Sequence, residues 1–203
     1  MAGPRIGVIG GGQLARMMQP AAVNLGIHLR VLATSADDPA AQVIPDTVIG
    51  KHHELRDLLD FATGCDIVTF DHEHVPLAHL EQLQQLGVAV RPGPHALRLA
   101  QDKLDMREAL TAAGVPCPTW AQITDEADLD RFAAEVGFPL VLKAARGGYD
   151  GRGVWVVDNR ADAVAVINQI QRDGVRVLAE RLVPFVRELA AQVARSPHDQ
   201  CVA

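Results

Sequence analysis

The stretch Lys143-Ala-Ala-Arg-Gly147-Gly148-Tyr149-Asp150-Gly151-Arg152-Gly153 separates two short apolar runs, residues 138–142 and Val154–Val157. Both runs have the composition of buried β-strands. Glycine has no Cβ, so a glycine-rich loop between strands lets backbone N–H groups approach polyphosphate oxygens closely. Lys143 adds a positive charge for the same phosphates. The stretch therefore predicts a strand–loop–strand unit that binds ATP.

The order of lysine and glycines separates this loop from other phosphate-binding loops. In a Walker A loop the lysine follows the glycines and precedes Ser or Thr. In a kinase-type loop the glycines come before the strand that carries the lysine. Lys143 precedes its glycines, and a strand-like segment follows them. On the residues of the loop alone, a hairpin turn without chemical function stays open as the alternative.

The N-terminal half alternates short apolar runs with helical patterns. The run at residues 6–9 leads into Gly10-Gly11-Gly12, and residues 13–25 have the spacing of a helix with one buried face. Further strands are predicted at 28–33, 47–49, 67–69 and 88–90, and helices at 54–62, at 76–86 and, in a short form, from Asp38. Such alternation predicts a parallel sheet with helices on both faces.

The glycine turn also fits the pattern Gly10-x-Gly12-x-x-Ala15 of dinucleotide-binding proteins. That pattern requires an acidic residue near the end of the second strand, to bind the ribose hydroxyl. The second predicted strand ends at residues 32–35 without an acidic residue, and Asp37 lies beyond its end, just before a predicted helix. An NAD-dependent oxidoreductase is therefore a weak alternative. The turn still exposes helix N–H groups that can hold the phosphate of a ribonucleotide.

The second half reads as an α+β domain after a proline-rich connection at residues 91–119. The connection contains a helical segment with Asp102 and Lys103, capped by Gly114. Helices at 125–136 and 160–171 and strands at 138–143, 154–157, 175–180 and 187–195 are predicted after it. We place the domains at residues 1–100 and 101–203, and expect the strand at 187–195 to continue into a larger sheet.

The run Asp71-His72-Glu73-His74 places four potential metal ligands in one loop. Consecutive residues point in different directions, however, and the spacing matches no known zinc site. We predict no metal ligand in this chain. His52 and His53 have no such context and are expected at the surface.

Composition limits the class of protein. The formal charge is -6 and no basic cluster is present, which argues against nucleic-acid binding. Cys65, Cys117 and Cys201 form no C-x-x-C pair and are expected to be reduced thiols. The chain has neither a signal-like start nor an apolar run long enough to span a membrane, so a cytoplasmic location is expected.

A resemblance to a known family narrows these predictions. Gly137-Phe138-Pro139, the pattern Gly148-x-x-Gly151-x-Gly153 and Glu180 resemble the ATP-grasp enzymes. The string from Gly147 to Gly153, together with Gly10-Gly11-Gly12-Gln13-Leu14, resembles the N5-carboxyaminoimidazole ribonucleotide synthetase family of purine biosynthesis. The resemblance runs from Arg5 to about Val202. It implies a pre-ATP-grasp, Rossmann-like α/β domain followed by the small α+β subdomain of an ATP-grasp fold, with the large sheet incomplete.

The resemblance also implies the reaction and its participants. Members of the family are carbon–nitrogen ligases that carboxylate 5-aminoimidazole ribonucleotide with ATP and bicarbonate, by way of carboxyphosphate. They use ATP with Mg²⁺ and are generally homodimers. Nothing in the resemblance suggests a nucleic-acid or membrane partner.

Individual site residues follow from the same resemblance. Tyr149, Asp150 and Arg152 are the implied catalytic residues, and Gly12, Gln13 and Glu73 the implied contacts of the ribonucleotide. The implied ATP-binding residues are Lys103, Lys143, Gly148, Tyr149, Asp150, Gly151, Arg152, Gly153, Val154, Glu180, Arg181, Leu182, Val183 and Glu188.

The chain departs from the family in length. Family members continue well beyond 203 residues, and their acidic magnesium ligands are expected in the part that is missing here. A non-catalytic nucleotide-binding fragment is therefore an alternative to an active ligase. Another carboxylate–amine ligase of the same superfamily is a further alternative, which the motifs around Gln13 and Tyr149 disfavour.

Overall fold

The computed structural model describes residues 3–148 and 152–203. The chain divides into two compact units, one formed by Met1–Val115 with Ala145–Gly147 and the other by Pro116–Ala144 with Gly148–Ala203. Each unit has its own sheet and its own buried apolar core. Residues 145–147 thus belong with the N-terminal half, although they directly follow the strand of Lys143.

The first unit is built on a four-stranded parallel sheet with the order β3-β2-β1-β4. Its strands are β1 (Arg5–Ile9), β2 (His28–Ala33), β3 (Asp46–Ile49) and β4 (Ile67–Phe70). Its helices are α1 (Gln13–Leu25), α2 (Leu55–Ala62), α3 (Leu77–Gln85), α4 (Pro94–Gln101) and α5 (Lys103–Ala112).

Both faces of this sheet are buried. Consecutive residues of a strand point to opposite faces, and on β1 the pair Val8 and Ile9 divides in this way. Val8 packs with Ala15 of α1 in one core cluster, whereas Ile9 packs with Phe61 of α2 and Leu80 of α3 in another. The predicted parallel sheet with helices on both faces is confirmed.

The second unit contains a four-stranded antiparallel sheet with the order β5-β8-β6-β7. Its strands are β5 (Trp120–Ile123), β6 (Leu140–Ala144), β7 (Val154–Val157) and β8 (Val177–Arg181), and its helices are α6 (Glu126–Val136) and α7 (Arg160–Arg172). Leu140 and Leu142 of β6 pack with Leu129 of α6 and Ile167 of α7. The helices therefore cover one face of the sheet, as an α+β unit requires.

Three predictions in the first unit need correction. No helix forms at Asp38, which lies in a series of turns, because its carboxylate accepts hydrogen bonds from the backbone N–H groups of Thr34 and Ser35. The strand predicted at 88–90 is reduced to an isolated bridge between Val90 and Val68. The single helical segment around Lys103 is two helices, since Asp102 has extended dihedral angles (φ -129°, ψ 114°).

Two further corrections concern the second unit. Strand β5 was not predicted from the sequence. The strand predicted at 187–195 is wrong for most of its length, because residues 187–193 have no regular structure. Regular pairing returns in the two-residue strands β9 (Ala194–Arg195) and β10 (Cys201–Val202), which pair with each other.

The structure also bears on membrane-spanning helices and on the state of the cysteines. Across these residues every helix is too short or too polar to traverse a bilayer. Cys65, Cys117 and Cys201 are free thiols.

Candidate functional site

Lys143 and Glu180 form an ion pair on one face of the second unit's sheet. Lys143 lies on β6 opposite Leu178 of β8, and its Nζ donates a hydrogen bond to Oε2 of Glu180. The side chain of Glu180 is 4% exposed and that of Lys143 is 22% exposed. A buried carboxylate is costly unless a charge compensates it, so Glu180 holds the ammonium of Lys143 at the surface of the sheet.

The face that carries this pair is the one that α6 and α7 leave uncovered. Val154 lies opposite Lys143 in the register of β7 and β6. Val154 and Val156 share this face and are 38% and 57% exposed. Strand β8 lies between β6 and β5, and its Glu180 is paired in register with Trp120 of β5. An ammonium group flanked by apolar side chains suits a nucleotide, whose phosphates need a cation and whose base needs apolar contacts.

The glycine-rich loop connects β6 and β7 as an antiparallel hairpin. Its described ends are close, because the N–H of Ala144 donates to the carbonyl of Gly153 at 2.9 Å. A Cβ on Gly153, which has φ 73°, would come within 3.2 Å of Cα of Gly148. Arg152 is exposed. Three residues with predicted ATP and catalytic contacts, Tyr149, Asp150 and Gly151, lie outside the described residues.

The predicted adenine and ribose contacts follow β8. Arg181 is the last residue of this strand, and its N–H donates to the carbonyl of Thr119 at 2.9 Å. Leu182 and Val183 begin a segment without regular structure, in which Glu188 is exposed. The structure therefore brings Lys143, Val154 and Glu180 together on one sheet face and leaves Glu188 on the irregular segment. The ATP contacts of all these residues stay predictions.

In the first unit, a buried carboxylate lies under the glycine turn that precedes α1. Asp71 follows β4, and its side chain is 4% exposed. Its Oδ2 accepts a hydrogen bond from the N–H of Gly12 at 3.1 Å, whereas its Oδ1 has no hydrogen-bond partner among the described residues. A Cβ on Gly10 would come 1.7 Å from Oδ1. The turn therefore needs glycine because it encloses this carboxylate.

Glu73 lies on the wall of a cleft in the first unit, with a volume of about 380 Å³. The side chain of Gln101, at the end of α4, fixes the loop that carries Glu73. Its Nε2 donates to the carbonyl of Glu73 at 2.6 Å and to that of Val75 at 2.9 Å. The cleft is lined by Glu73, His74, Val75, Pro76, Leu77, Gln101, Arg146 and Gly147.

The junction of α4 and α5 also fixes the segment 145–147. Asp102 is fully buried, and its Oδ1 caps α5 by accepting from the N–H of Leu104 at 3.0 Å. Its Oδ2 accepts from Nε of Arg146 at 2.6 Å. The N–H of Lys103 donates to the carbonyl of Ala145 at 2.9 Å. Lys103, a predicted nucleotide contact, is therefore tied to residues 145–147 through its backbone.

Four histidines of the first unit lie together. The ring centroid of His72 is 4.7 Å from that of His52 and 5.5 Å from that of His74, and His53 stacks edge-on against His52 at 5.4 Å. The N–H of His74 donates to Nδ1 of His72 at 3.2 Å, so the neutral His72 ring carries its proton on Nε2. His53 is exposed, as predicted, whereas His52 is half-buried against the ring of His72.

Burial lowers the pKa of both His52 and His72 below the ordinary value of histidine. For His52, repulsion from His72, His53 and His74 adds to the effect of burial. For His72 the nearby Asp71 carboxylate opposes it. Both effects follow from placing several rings that share one sign of charge in a partly desolvated cluster.

The histidine loop was weighed as a metal site because of its ligand types. Within residues 3–148 and 152–203, no group of three or more His, Cys, Asp or Glu side chains is arranged to hold a metal ion.

The sequence did not predict the contact between Asp102 and Arg146 or the role of Gln101 in fixing the loop of Glu73. Asp102 carried a usable signal, because an aspartate immediately before a helical pattern is a typical N-cap. Arg146 stood inside the stretch that predicted the loop, but its partner is 44 positions away in the chain. No short-range pattern in the sequence announces such a contact.

Two models of known protein families match the chain, one in each half. A family model described as the ribonucleotide synthetase preATP-grasp domain matches residues 3–101, and one described as the ATP-grasp domain matches residues 108–203. The parallel sheet of the first unit and the antiparallel sheet with its glycine hairpin in the second agree with this division. The fold and the site thus define an ATP-grasp protein with a ribonucleotide synthetase pre-ATP-grasp domain.

Individual relatives are more specific. The N5-carboxyaminoimidazole ribonucleotide synthase of Mycobacterium tuberculosis is 55% identical over 200 residues, which cover 98% of this chain and 47% of the relative. A structure of the ADP complex of N5-carboxyaminoimidazole ribonucleotide synthetase superposes with a TM-score of 0.89 at 30% identity, covering 100% of this chain and 53% of that one. The Aspergillus clavatus enzyme in complex with ADP and 5-aminoimidazole ribonucleotide gives 0.77 at 28% identity, covering 91% and 48%.

The chain belongs to the N5-carboxyaminoimidazole ribonucleotide synthetase family. It spans about half the length of the curated relatives that it matches.

Proposed function

We propose that this chain supplies the ATP-binding and ribonucleotide-binding parts of a carbon–nitrogen ligase that carboxylates 5-aminoimidazole ribonucleotide in purine biosynthesis. The observation that carries the proposal is the Lys143–Glu180 pair on the open face of an antiparallel sheet, next to a glycine-rich hairpin. The related structures support it, since one holds ADP and another holds ADP with 5-aminoimidazole ribonucleotide.

ATP binds at the second unit in this proposal. Lys143 and the loop amides from Gly148 to Gly153 hold the phosphates, because an ammonium and backbone N–H groups are the donors that polyphosphate accepts. Val154 contacts the nucleotide from the sheet face that α6 and α7 leave uncovered. Residues 180–183 bind the adenine and Glu188 binds the ribose.

The proposed reaction has two steps. An oxygen of bicarbonate attacks the γ-phosphorus of ATP, the bond to the β–γ bridging oxygen breaks, and ADP leaves carboxyphosphate behind. The exocyclic amine of 5-aminoimidazole ribonucleotide then attacks the carboxyl carbon, the bond to the phosphate oxygen breaks, and the amine loses a proton as phosphate leaves. The protein forms no covalent bond, so its contribution is positioning and charge stabilisation.

Three loop residues act at the reacting groups in this proposal. Arg152 stabilises the carboxyphosphate anion, while Tyr149 and Asp150 orient the bicarbonate and the amine. Closure of the loop keeps water away from an intermediate that hydrolyses readily. The exposed position of Arg152 at the described end of the loop supports this role.

The ribonucleotide binds at the first unit. Glu73, Gly12 and Gln13 follow β4 and β1 at the carboxyl ends of parallel strands, where open α/β sheets bind their ligands. The cleft beside Glu73 supports this assignment. We further propose that ATP is used as its Mg²⁺ complex and that the assembled enzyme is a homodimer.

A chimera tests the proposal. Residues 1–203 replace the matching half of the Mycobacterium tuberculosis relative, and ADP release is measured with ATP, magnesium and bicarbonate, with and without 5-aminoimidazole ribonucleotide. We expect release that requires the ribonucleotide. In the chimera, Arg152→Ala should lower turnover far more than ATP affinity, whereas Arg172→Ala, at the exposed end of α7, should leave both unchanged.

The outcomes separate the candidate functions. A folded chimera that releases no ADP, while the parent relative does, contradicts the ligase assignment. If such a chimera still binds ATP in a Lys143-dependent way, the chain is a non-catalytic nucleotide-binding protein. Equal losses of turnover and ATP affinity in Arg152→Ala would contradict the role given to Arg152.

A further inference from the structure

The loop that carries Glu73 is anchored at both of its ends within the first unit. At its start, the N–H of Asp71 donates to the carbonyl of Ile9 at 3.1 Å, and the carboxylate of Asp71 accepts from the N–H of Gly12. At its end, the side chain of Val75 is fully buried in a core cluster. Glu73 lies between these anchors and is half-buried. A backbone in such a position keeps conformational freedom unless a further contact removes it.

Gln101 supplies that contact through a single nitrogen. Its Nε2 donates to the carbonyl of Glu73 at 2.6 Å and to the carbonyl of Val75 at 2.9 Å. A primary amide has two N–H groups, so each carbonyl receives one of them. Both donors of the Gln101 side chain are therefore used on the backbone of the loop.

The packing of α4 explains why Gln101 reaches this loop. Leu97 is buried in the same core cluster as Val75. Gln101 follows Leu97 by four residues, and residues with this spacing share one face of a helix. The end of α4 is fixed as well, because the next residue, Asp102, is fully buried and caps α5 with its Oδ1. The side chain that holds Glu73 thus projects from a fixed part of the fold.

A fixed backbone at Glu73 matters because the carboxylate of this residue lines the cleft of the first unit. A carboxylate accepts hydrogen bonds from hydroxyl groups in preferred directions. When the backbone is already ordered, less conformational entropy is lost on binding, and the affinity for the ligand is higher. Gln101 lines the same cleft, but its two donors are used on the loop. Its effect on a ligand is therefore exerted through Glu73.

We propose that Gln101 is a positioning residue for the ribonucleotide and that it acts by fixing the backbone of Glu73. The inference rests on the proposed function, which gives Glu73 its contact with the ribonucleotide. Gln101 contributes to the affinity for this substrate and not to the binding of ATP.

NMR titration of the isotope-labelled 203-residue chain with 5-aminoimidazole ribonucleotide tests the inference, because chemical shifts yield dissociation constants even for weak binding. ATP is titrated separately. Gln101→Met removes both donors at a similar side-chain length and adds no charge. Gln82→Met is the matched control, since Gln82 is an exposed residue of α3 in the same unit. Glu73→Ala is measured alone and together with Gln101→Met.

We expect Gln101→Met to weaken binding of the ribonucleotide about 5- to 20-fold, because the two hydrogen bonds that orient Glu73 are lost. Its ATP binding should change less than about twofold, and Gln82→Met should change neither affinity. In the Glu73→Ala background, Gln101→Met should weaken ribonucleotide binding by less than about twofold further, since the side chain that it positions is absent. A merely structural role would give the same loss in both backgrounds.

The amide spectrum of each variant checks its fold. Gln101→Asn retains the amide on a shorter stem, which cannot reach both carbonyls from the same helix position. If Gln101→Met does not fold, Gln101→Asn decides, and it should likewise weaken binding of the ribonucleotide while leaving that of ATP unchanged.

Several results would overturn the inference. If Gln101→Met binds the ribonucleotide normally while Glu73→Ala binds it weakly, the proposed function stands and Gln101 has no positioning role. Equal losses with and without Glu73, or an equal loss for ATP, would show a general effect on the fold. If Glu73→Ala binds the ribonucleotide normally, or if the native chain binds ATP but no ribonucleotide, the role that the proposed function gives to Glu73 fails, and the inference fails with it.

Discussion

Nζ of Lys143 donates to Oε2 of Glu180 across two neighbouring antiparallel strands, and the carboxylate is almost completely buried. Each residue limits the other. Glu180 is tolerated inside the unit because an ammonium lies beside it, and Lys143 is held at one point of the open sheet face because Glu180 is fixed. A ligand phosphate at this face would therefore meet a lysine that already has an orientation.

Replacing Lys143 should both weaken ATP binding and destabilise the second unit. We expect Lys143→Met to weaken ATP binding about 10- to 100-fold and to lower the free energy of unfolding of the second unit by about 1–3 kcal/mol, because Glu180 loses its charge partner. Trp120 and Trp155 both lie in the second unit, so urea unfolding followed by tryptophan fluorescence reports on it.

The double variant separates the two effects. Glu180→Gln in the Lys143→Met background should cost less stability than the sum of the single variants, since the buried negative charge that Lys143 compensates is gone. Lys51→Met, in the first unit, serves as the control for removing a lysine charge. Additive losses of stability would show that the pair is not coupled.

Because Asp102 is buried, its replacement should lower the free energy of unfolding by more than the loss of an ordinary helix cap does. Asp102→Ala removes the cap of α5 and the partner of Arg146, so we expect a loss of about 2–4 kcal/mol in unfolding free energy. Asp102→Asn keeps a capping oxygen and should cost about 1–2 kcal/mol. Far-UV circular dichroism during urea unfolding measures both variants, because the first unit contains no tryptophan.

A second N-cap provides the comparison. Asp125 caps α6 by accepting from the N–H of Asp128 at 2.8 Å, in an exposed position. Asp125→Ala should therefore cost about 1 kcal/mol, as an ordinary cap does. If Asp102→Ala is no more destabilising than Asp125→Ala, the contact with Arg146 adds nothing to the cap.

The sequence was sufficient to predict those helices and strands whose apolar pattern is complete within a short stretch of neighbouring residues. Buried parallel strands such as β1 appear as short apolar runs next to glycines, and α1 has a clear apolar spacing. β5 was missed because four residues with one exposed glutamine at position 122 give too short a pattern. The strand at 187–195 was predicted as one that continues into a larger sheet. A strand needs a partner for its backbone groups, and residues 187–193 have no such pairing among the described residues.

The candidate site was likewise predictable only where its residues are close together in the sequence. Lys143 and its loop are contiguous, so the motif indicated them. The contacts of Arg146 with Asp102 and of His52 with His72 join residues that are far apart in the chain. These contacts depend on the topology of the sheet and on the path of the chain between its strands. No local pattern carries that information.

The histidine cluster predicts a pH dependence of stability. The pKa values of His52 and His72 are lowered in the folded state, so the unfolded chain takes up protons first as the pH falls below about 6.5. Their contribution to stability is complete above that pH and is lost as the pH falls through the lower folded-state values. Asp71 opposes the lowering of the pKa at both histidines, and Glu73 opposes it at His72. Glu54 faces the cluster at His53, 3.8 Å from its Nε2.

Urea unfolding of the first unit between pH 8 and pH 5 measures this dependence. The variant with His52→Gln and His72→Gln should show a flatter decline of stability below pH 6.5. His198→Gln, an exposed residue near the end of the chain, should leave the profile unchanged. A decline that is the same in the double variant would assign the acid sensitivity to other groups.

Gly10 should be far less replaceable than Gly26, although both have positive φ angles, of 115° and 66°. A Cβ on Gly26 would have no atom of the described residues within 4 Å, whereas a Cβ on Gly10 would come 1.7 Å from Oδ1 of Asp71. Gly26→Ala should therefore cost only the conformational penalty of about 1–2 kcal/mol. Gly10→Ala adds a clash with a buried carboxylate, so we expect a loss above about 3 kcal/mol, measured by circular dichroism in urea. Asp71→Ala in the Gly10→Ala background removes the clashing oxygen and should recover part of that loss. Equal costs for the two alanine variants, or no recovery in the double variant, would mean that the turn does not enclose the Asp71 carboxylate as described.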